Sequence, residues 1–200
     1  MSMSMSMPYP AHVEFHGDRH IDRWRPLVQW LFAVPQLMIA SALRTLRQVL
    51  TVVSLFTVLF TERIPKTIFE MIAMSYRYEW RAVSYAAFLH EDYPPFDFQP
   101  TAADDGVEPH TTLSITYPEH LDRWKPLYKW FLAAPHYVVI FVLGSGAVVA
   151  FVASFFAVLF TGEYPVGIRD FLVGVYRYTL RVEAYVGLLT DVYPPFQLSA

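Results

Sequence analysis

The chain has 200 residues, of which 54% are hydrophobic, 17% aromatic and 16% charged. Since soluble domains usually carry about 25% charged residues, this chain has too little charge for an ordinary water-exposed surface. Its formal net charge of -3 argues against nucleic-acid binding, and the absence of cysteine excludes disulfides and thiolate metal sites.

The N-terminal segment, 1–11, is predicted to be a disordered tail. It alternates methionine and serine and has no apolar core, so it does not match a secretory signal peptide. The residues that follow, His12 to Phe15, alternate polar and apolar side chains, which predicts a short β-strand.

A first apolar helix is predicted from Gln36 to Thr61. The hydrocarbon core of a bilayer, about 30 Å thick, needs about 20 helical residues, so this segment is long enough to cross it. Arg44 and Arg47 lie near its middle, where insertion scales assign each arginine about 2.5–3.5 kcal/mol. We therefore expect both arginines to face a protein partner, a water-filled groove or an anionic headgroup.

A second helix is predicted from Pro65 to about His90. At 100° per residue its charged and polar side chains fall on one stripe, whereas Glu79 lies on the apolar side without an evident partner. The helix can cross the membrane with this stripe turned into the protein, or lie in the interface with the stripe in water. Its length favours an antiparallel hairpin with the first helix, which we prefer, although Arg77 at mid-helix favours the interface. The stripe comprises Lys66, Glu70, Arg77, Arg81 and Ser84.

The second half of the chain repeats the first at an offset of 100 residues. An acidic linker, 101–109, separates unit 1, 12–100, from unit 2, 110–200. More than a third of the positions in 21–100 are identical to their partners, without a gap. The shared sequences include Arg-Trp-x-Pro-Leu, Val-Leu-Phe-Thr, Tyr-Arg-Tyr and Tyr-Pro-Pro-Phe.

Unit 2 predicts the same elements with fewer charges. Thr112 to Thr116 alternates as a strand does, and Tyr137 to Phe160 is free of formal charge. We predict one continuous helix there, rather than a hairpin turning at residues 144–146, because the matching positions in unit 1 hold no turn former. Small residues allow membrane helices to approach closely, so Gly144 and Gly146 are expected at a helix contact.

These elements predict an all-α membrane protein made of tandem duplicated helical hairpins, about four membrane helices, with short flanking β-strands on one face. The segments Phe96 to Phe98 and Phe196 to Leu198 are expected to pair with the predicted strands. Both termini and the linker would then share one face. That face has the larger number of arginines and lysines, which predicts a cytoplasmic location.

The repeated sequences resemble a bacterial membrane family, domain of unknown function 4389. Unit 2 fits the family pattern at Pro135-His136, Leu159 to Pro165, Tyr176 to Tyr185 and Tyr193 to Phe196. Unit 1 departs from it, with Gln36 in place of the histidine and Glu62 to Ile64 in place of Gly-x-Tyr. The resemblance implies a location in the bacterial inner membrane and brings no activity and no catalytic residues.

The charged stripe of the second helices is the candidate site. No phosphate loop, nucleophile elbow or His-x-x-x-His pair is present, so we expect no catalytic site, metal or cofactor. Either the acids and arginines neutralise each other within the bundle, or the arginines bind an anionic group such as a phospholipid headgroup. The candidate residues are Glu70, Arg77, Arg81, Asp170, Arg177 and Arg181.

We expect a non-catalytic inner-membrane protein that acts as an accessory subunit or a lipid-interacting scaffold. Its expected partners are membrane lipids and either another membrane protein or a second copy of the chain. The alternative is a small transporter or channel with a site at the repeat interface, because transporters often contain internal repeats. An enzyme has the least support.

Overall fold

The computed structural model describes residues 9–104 and 106–199. These residues form two strands and five helices: β1 (Ala11–Phe15), α1 (Arg25–Thr61), α2 (Lys66–Ala86), β2 (Thr111–Ile115), α3 (Lys125–Leu132), α4 (Ala134–Thr161) and α5 (Val166–Val186). The fold is mostly helical with one antiparallel two-stranded sheet. Most of the predicted tail, 1–11, lies outside the described residues.

Each unit forms a helical hairpin whose first helix ends at the predicted break. Glu62 and Gly162 follow that helix with left-handed φ values of 58° and 76°, and their N–H groups donate to the carbonyls of Val58 and Val158. The helix of unit 2 is interrupted at Ala133, between α3 and α4, whereas α1 continues through Pro35. The α4 helix runs unbroken across residues 144–146, which confirms the continuous helix.

The second helices, α2 and α5, are shorter than predicted. Two residues after the end of each helix the backbone is left-handed, with φ of 60° at Phe88 and 67° at Leu188. The following N–H groups donate backward across five residues, from Leu89 to Ser84 and from Leu189 to Ala184, at 3.1 and 2.9 Å. This is the Schellman arrangement, which normally uses glycine at the left-handed position. Neither Phe88 nor Leu188 signals such an ending, so the predicted helix extended too far.

The strands are exchanged between the units. β1 belongs to unit 1 but packs on α5, and β2 belongs to unit 2 but packs on α2. The predicted strands are confirmed, but the pairing with 96–98 and 196–198 is wrong. β1 and β2 pair with each other, Ala11 opposite Ile115, and the Ile115 N–H also donates to the carbonyl of Ala102 at 3.1 Å.

The two units lie head to tail. The N–H of Ile21 donates to the carbonyl of Gly162 at 3.0 Å, which joins the start of unit 1 to the α4–α5 turn. The N–H of Leu121 donates to the carbonyl of Glu62 at 2.9 Å, at the matching place in the other unit. As a result, α1 begins beside the end of α4 and ends beside the start of α3.

One face of the molecule is covered with large apolar side chains. α1 buries a single stripe against α2, and its opposite side is exposed, as are the outer sides of α3 and α4. We call this surface the apolar face, and the surface formed by β1, β2 and the linker the sheet face. Prominent residues of the apolar face are Leu31, Phe32, Met38, Val49, Phe56, Phe60, Phe131, Val138, Phe141, Val149 and Phe160.

Among the described helices, α1 and α4 are long and apolar enough to cross a membrane. Length and apolarity alone are weak support for a membrane location, because buried core helices of soluble proteins can be equally long and apolar. The α4 helix, however, buries only 6% of its most apolar 18-residue window, which no core helix would do. The apolar character of α4 therefore faces outward.

The expected contact at Gly144 is wrong, but Gly146 does lie at a helix contact. A Cβ built on Gly144 meets no described atom within 4 Å, whereas one on Gly146 lies 3.3 Å from Cζ of Phe171. We expect Gly146→Leu to lower the free energy of unfolding by about 1–3 kcal/mol through overpacking. Gly144→Leu is the matched control and should leave thermal unfolding in detergent unchanged or raised. Equal destabilisation by both would contradict this packing.

Candidate functional site

Arg77 holds the linker along α2. Its side chain is 1% exposed. Nη1 donates to the carbonyls of Thr101 and Ala103 at 3.1 and 2.9 Å, and Nη2 donates to the carbonyl of Gln99 at 2.9 Å. The guanidinium group therefore fixes three carbonyls of this irregular segment to α2.

Arg177 does the same for unit 2 with a different segment. Its Nε and Nη2 donate to the carbonyl of Val13 in β1 at 3.1 and 3.0 Å, and its Nη1 donates to the carbonyl of Leu198 at 2.8 Å. Since Val13 comes from the first half of the chain, Arg177 contributes directly to holding the exchanged strand.

Arg81 and Arg181 differ in their contacts. Arg81 pairs with the carboxylates of Asp97 and Asp104, at 3.1 and 3.7 Å. Arg181 donates to the carbonyl of Gln197 at 3.3 Å and lies 5.7 Å from the ring centroid of Tyr9. The difference follows from the repeat, because unit 2 has glutamine where unit 1 has Asp97.

The structure does not bring the predicted acids to these arginines. Glu70 pairs with Lys66 at 3.8 Å, one turn away on the same helix, and Asp170 lies 3.7 Å from Arg169 on an exposed surface. The carboxylates that reach Arg81 come from the segment after α2, which helical spacing alone does not reveal. The predicted stripe therefore serves mainly to fasten extended segments to the second helices.

A second charged cluster lies between α1 and α2. Glu79 accepts hydrogen bonds from Arg44 and from Nη2 of Arg47, the latter at 2.7 Å. Glu79 and Arg47 are 5% and 6% exposed, and Cζ of Arg47 lies 3.7 Å from the ring centroid of Tyr76. This explains both the arginines inside an apolar helix and the acid on the apolar side of α2.

The cluster borders a cavity between the two units. Glu183 of α5 lies 3.8 Å from Arg47, so the cavity brings together charges from both repeats. It has a volume of about 300 Å³ and continues into a groove of about 490 Å³ beside α4. Trp80 and Tyr176 stack in its lining with ring centroids 4.4 Å apart. Arg44, Glu79 and Glu183 thus line an aromatic, mainly apolar cavity at the repeat interface, and Arg47 lines the adjoining groove.

The sequence profile described as a domain of unknown function, DUF4389, matches residues 23–97 and 123–197. The chain belongs to the DUF4389 family. It contains two tandem copies of the domain, which agrees with the repeat read from the sequence. Searches of curated proteins and of solved structures gave no match.

The first copy departs from the DUF4389 pattern at Gln36 without losing the contact made there. The hydroxyl of Tyr78 donates to Oε1 of Gln36, while in the second copy Nδ1 of His136 lies 2.6 Å from the hydroxyl of Tyr178. His136 is fully buried and stacks on Phe196 at 4.2 Å. Both residues therefore fasten the first helix of their domain to the second.

The central charges are specific to the first DUF4389 copy. The positions of Arg44, Arg47 and Glu79 hold Gly144, Ala147 and Thr179 in the second copy. The acid and both arginines are thus absent together. This joint replacement is the signal in the sequence that could have paired Glu79 with the arginines.

Proposed function

We propose that this protein is a non-catalytic, lipid-interacting scaffold that lies in one leaflet of the bacterial inner membrane. The length of the apolar face carries the proposal. Exposed apolar side chains continue along α1 from Leu27 to Phe60. At 1.5 Å per residue they extend over about 50 Å, whereas the hydrocarbon core is about 30 Å thick. A spanning α1 would need a tilt far above the average of about 20°.

The linker that packs along α2 gives a second reason to place α1 in the membrane plane. α1 and α2 pack antiparallel along their lengths. Near the start of α1, Gln29 donates to the Tyr85 carbonyl at 2.8 Å, and near its end Val58 lies in one core cluster with Phe69 of α2. If α1 crossed the membrane, the linker along α2 would also lie at membrane depth. Irregular backbone is not tolerated against hydrocarbon. With α1 in the membrane plane, the sheet face lies in water.

Exposed tryptophans occur at both ends of the apolar face. Trp24 and Trp30 lie at the start of α1, and Trp124 and Trp130 at the start of α3, at the opposite end because the units are head to tail. The indole N–H of Trp30 donates to the Leu27 carbonyl at 2.8 Å, so its polar atom is satisfied within the helix. Tryptophan is enriched at membrane–water boundaries, which supports contact with lipid along this face.

The cavity at the repeat interface supports lipid recognition within the same proposal. Arg44 is more than half exposed beside the groove, and Glu183 lies across from it. Charges of both signs suit a zwitterionic headgroup, with its phosphate at the arginines and its amine at the glutamate. The same cavity favours the second candidate, a small transporter, whose substrate site would lie between the repeats.

The depth of α1 in the bilayer tests the proposal. Leu31, Met38, Val49 and Phe56 lie on one side of the helix and are similarly exposed, and the chain has no cysteine, so single cysteines there accept one spin label each. The labels extend over about 38 Å along the helix. If the helix lies in the membrane plane, all four labels should lie at the same depth, within about 5 Å, near the headgroup boundary. Label depth in vesicles is measured from relaxation by oxygen and by a water-soluble nickel reagent.

A label at Glu14, exposed on β1, is the control and should be accessible to the aqueous reagent. A spanning helix without tilt would instead place the central labels about 10 Å deeper than the end labels. That profile would overturn the in-plane scaffold and favour the transporter. Reporter fusions to both termini should also report cytoplasm. An additional protein partner or second copy stays a prediction that co-purification in mild detergent would test.

A further inference from the structure

Three side chains from separate segments lie close together beyond the C-terminal end of α2, beside the linker. His90 follows α2, Glu108 lies in the linker and His110 directly precedes β2. One ligand atom from each lies within 4.8 Å of the other two. His90 and Glu108 are only 2% and 4% exposed, and the rings of His90 and His110 have centroids 5.0 Å apart.

His90 has one ring nitrogen without a partner. Its Nε2 lies 3.1 Å from Oγ of Ser84, while Nδ1 is buried and has no hydrogen-bond partner among the described residues. A buried polar atom left unpaired is unfavourable. With its proton on Nε2, toward Ser84, the His90 ring offers the lone pair of Nδ1 to a ligand.

His110 is oriented as a metal-binding histidine usually is. Its Nδ1 lies 2.9 Å from the carbonyl of His16, which makes this nitrogen a donor and leaves Nε2 for a ligand. Nε2 now lies 2.7 Å from Oδ2 of Asp92. Asp92 is largely exposed, so it can move from the hydrogen bond to a metal.

Glu108 is a buried carboxylate in the same place. Its Oε1 accepts the N–H of His110 at 3.2 Å, and the residue is only 4% exposed. A cation beside Glu108 would compensate its charge. The adjoining cavity, about 150 Å³, is lined by His90, His110 and Asp92 and also by Asp18 and His20.

We propose that His90, Glu108 and His110 bind a divalent transition-metal ion of the zinc class, with Asp92 as the fourth ligand. Two imidazole nitrogens and two carboxylate oxygens are a ligand set that Zn²⁺ accepts. Zn–N and Zn–O bonds of about 2.0–2.2 Å require these side chains to move closer together on binding. The ion would tie the linker to the end of α2. The ligands come from irregular segments, so helical spacing could not reveal them.

Metal binding to the full chain tests this site. The protein is purified without a histidine tag, treated with chelator and titrated with Zn²⁺, and with Co²⁺ as a visible-absorption probe. We expect one equivalent per chain and a higher thermal unfolding temperature with metal. Glu108→Gln and His110→Gln should each weaken binding about tenfold or more.

His120→Gln is the matched control, because His120 is an exposed histidine paired with Glu62 and lies outside the cluster. It should bind Zn²⁺ as the unmodified chain does. Unfolding temperatures of the metal-free variants show whether each one still folds. Absence of a stoichiometric site in the unmodified chain, or undiminished binding by folded Glu108→Gln and His110→Gln, would overturn the proposal.

Discussion

Glu79→Gln is expected to lower the free energy of unfolding by about 3–5 kcal/mol, because it leaves the buried Arg47 guanidinium without its carboxylate. Arg47 lies 2.7 Å from Glu79 but 3.8 Å from Glu183, so the remaining acid compensates it less well. Glutamine has nearly the same size, so the loss reports charge rather than packing. Chemical unfolding in detergent micelles, followed by tryptophan fluorescence, measures the effect.

The second repeat provides the rescue variant. It has alanine and threonine at the positions of Arg47 and Glu79 and folds as the same hairpin. Arg47→Ala combined with Glu79→Thr should therefore recover most of the stability that Glu79→Gln loses. Glu70→Gln is the control, since Glu70 pairs with an exposed lysine, and should change stability by about 1 kcal/mol or less. Equal stability of Glu79→Gln and Glu70→Gln would contradict a buried ion pair.

Features encoded by local pattern could be predicted from the sequence. The 100-residue repeat, the break at Thr61 to Pro65, the unbroken helix through residues 144–146 and the alternation of β1 and β2 all lie within short windows. Each depends on spacing or turn chemistry that neighbouring residues determine. The predicted end of α2 was wrong because a phenylalanine in the left-handed conformation, unlike glycine, does not mark a helix end in the sequence.

Contacts between distant segments could not be predicted in this way. The head-to-tail arrangement, the exchange of β1 and β2 and the binding of the linker by Arg77 join residues that no helical or strand period relates. Helical spacing predicts the arginine stripe but not its acceptors. These are backbone carbonyls and, for Arg81, the carboxylates of Asp97 and Asp104, rather than Glu70 and Asp170. The cluster of His90, Glu108 and His110 could not be predicted either, because no helical or strand period relates these three residues.

Arg77→Gln is expected to lower the free energy of unfolding by about 3 kcal/mol or more, because hydrogen bonds from a charged donor contribute about 1.5–3 kcal/mol each. Arg77 donates to the carbonyls of Gln99, Thr101 and Ala103, and glutamine is too short to reach all three. Arg63→Gln, at an exposed arginine, is the control and should have little effect. Hydrogen–deuterium exchange should show faster exchange of amides in 99–103 in Arg77→Gln than in the control.

The same variant separates the two interpretations of the stripe. If Arg77 served an anionic headgroup, its loss would lower retention of anionic lipid in native mass spectrometry while the protein stayed stable. If it neutralised Glu70, adding Glu70→Gln would restore stability. The contacts predict neither result, because the guanidinium already donates to the linker and Glu70 pairs with Lys66. We expect an unstable variant, unchanged lipid retention per folded molecule and no rescue, since Glu70→Gln adds no donor to the linker carbonyls that Arg77 contacts.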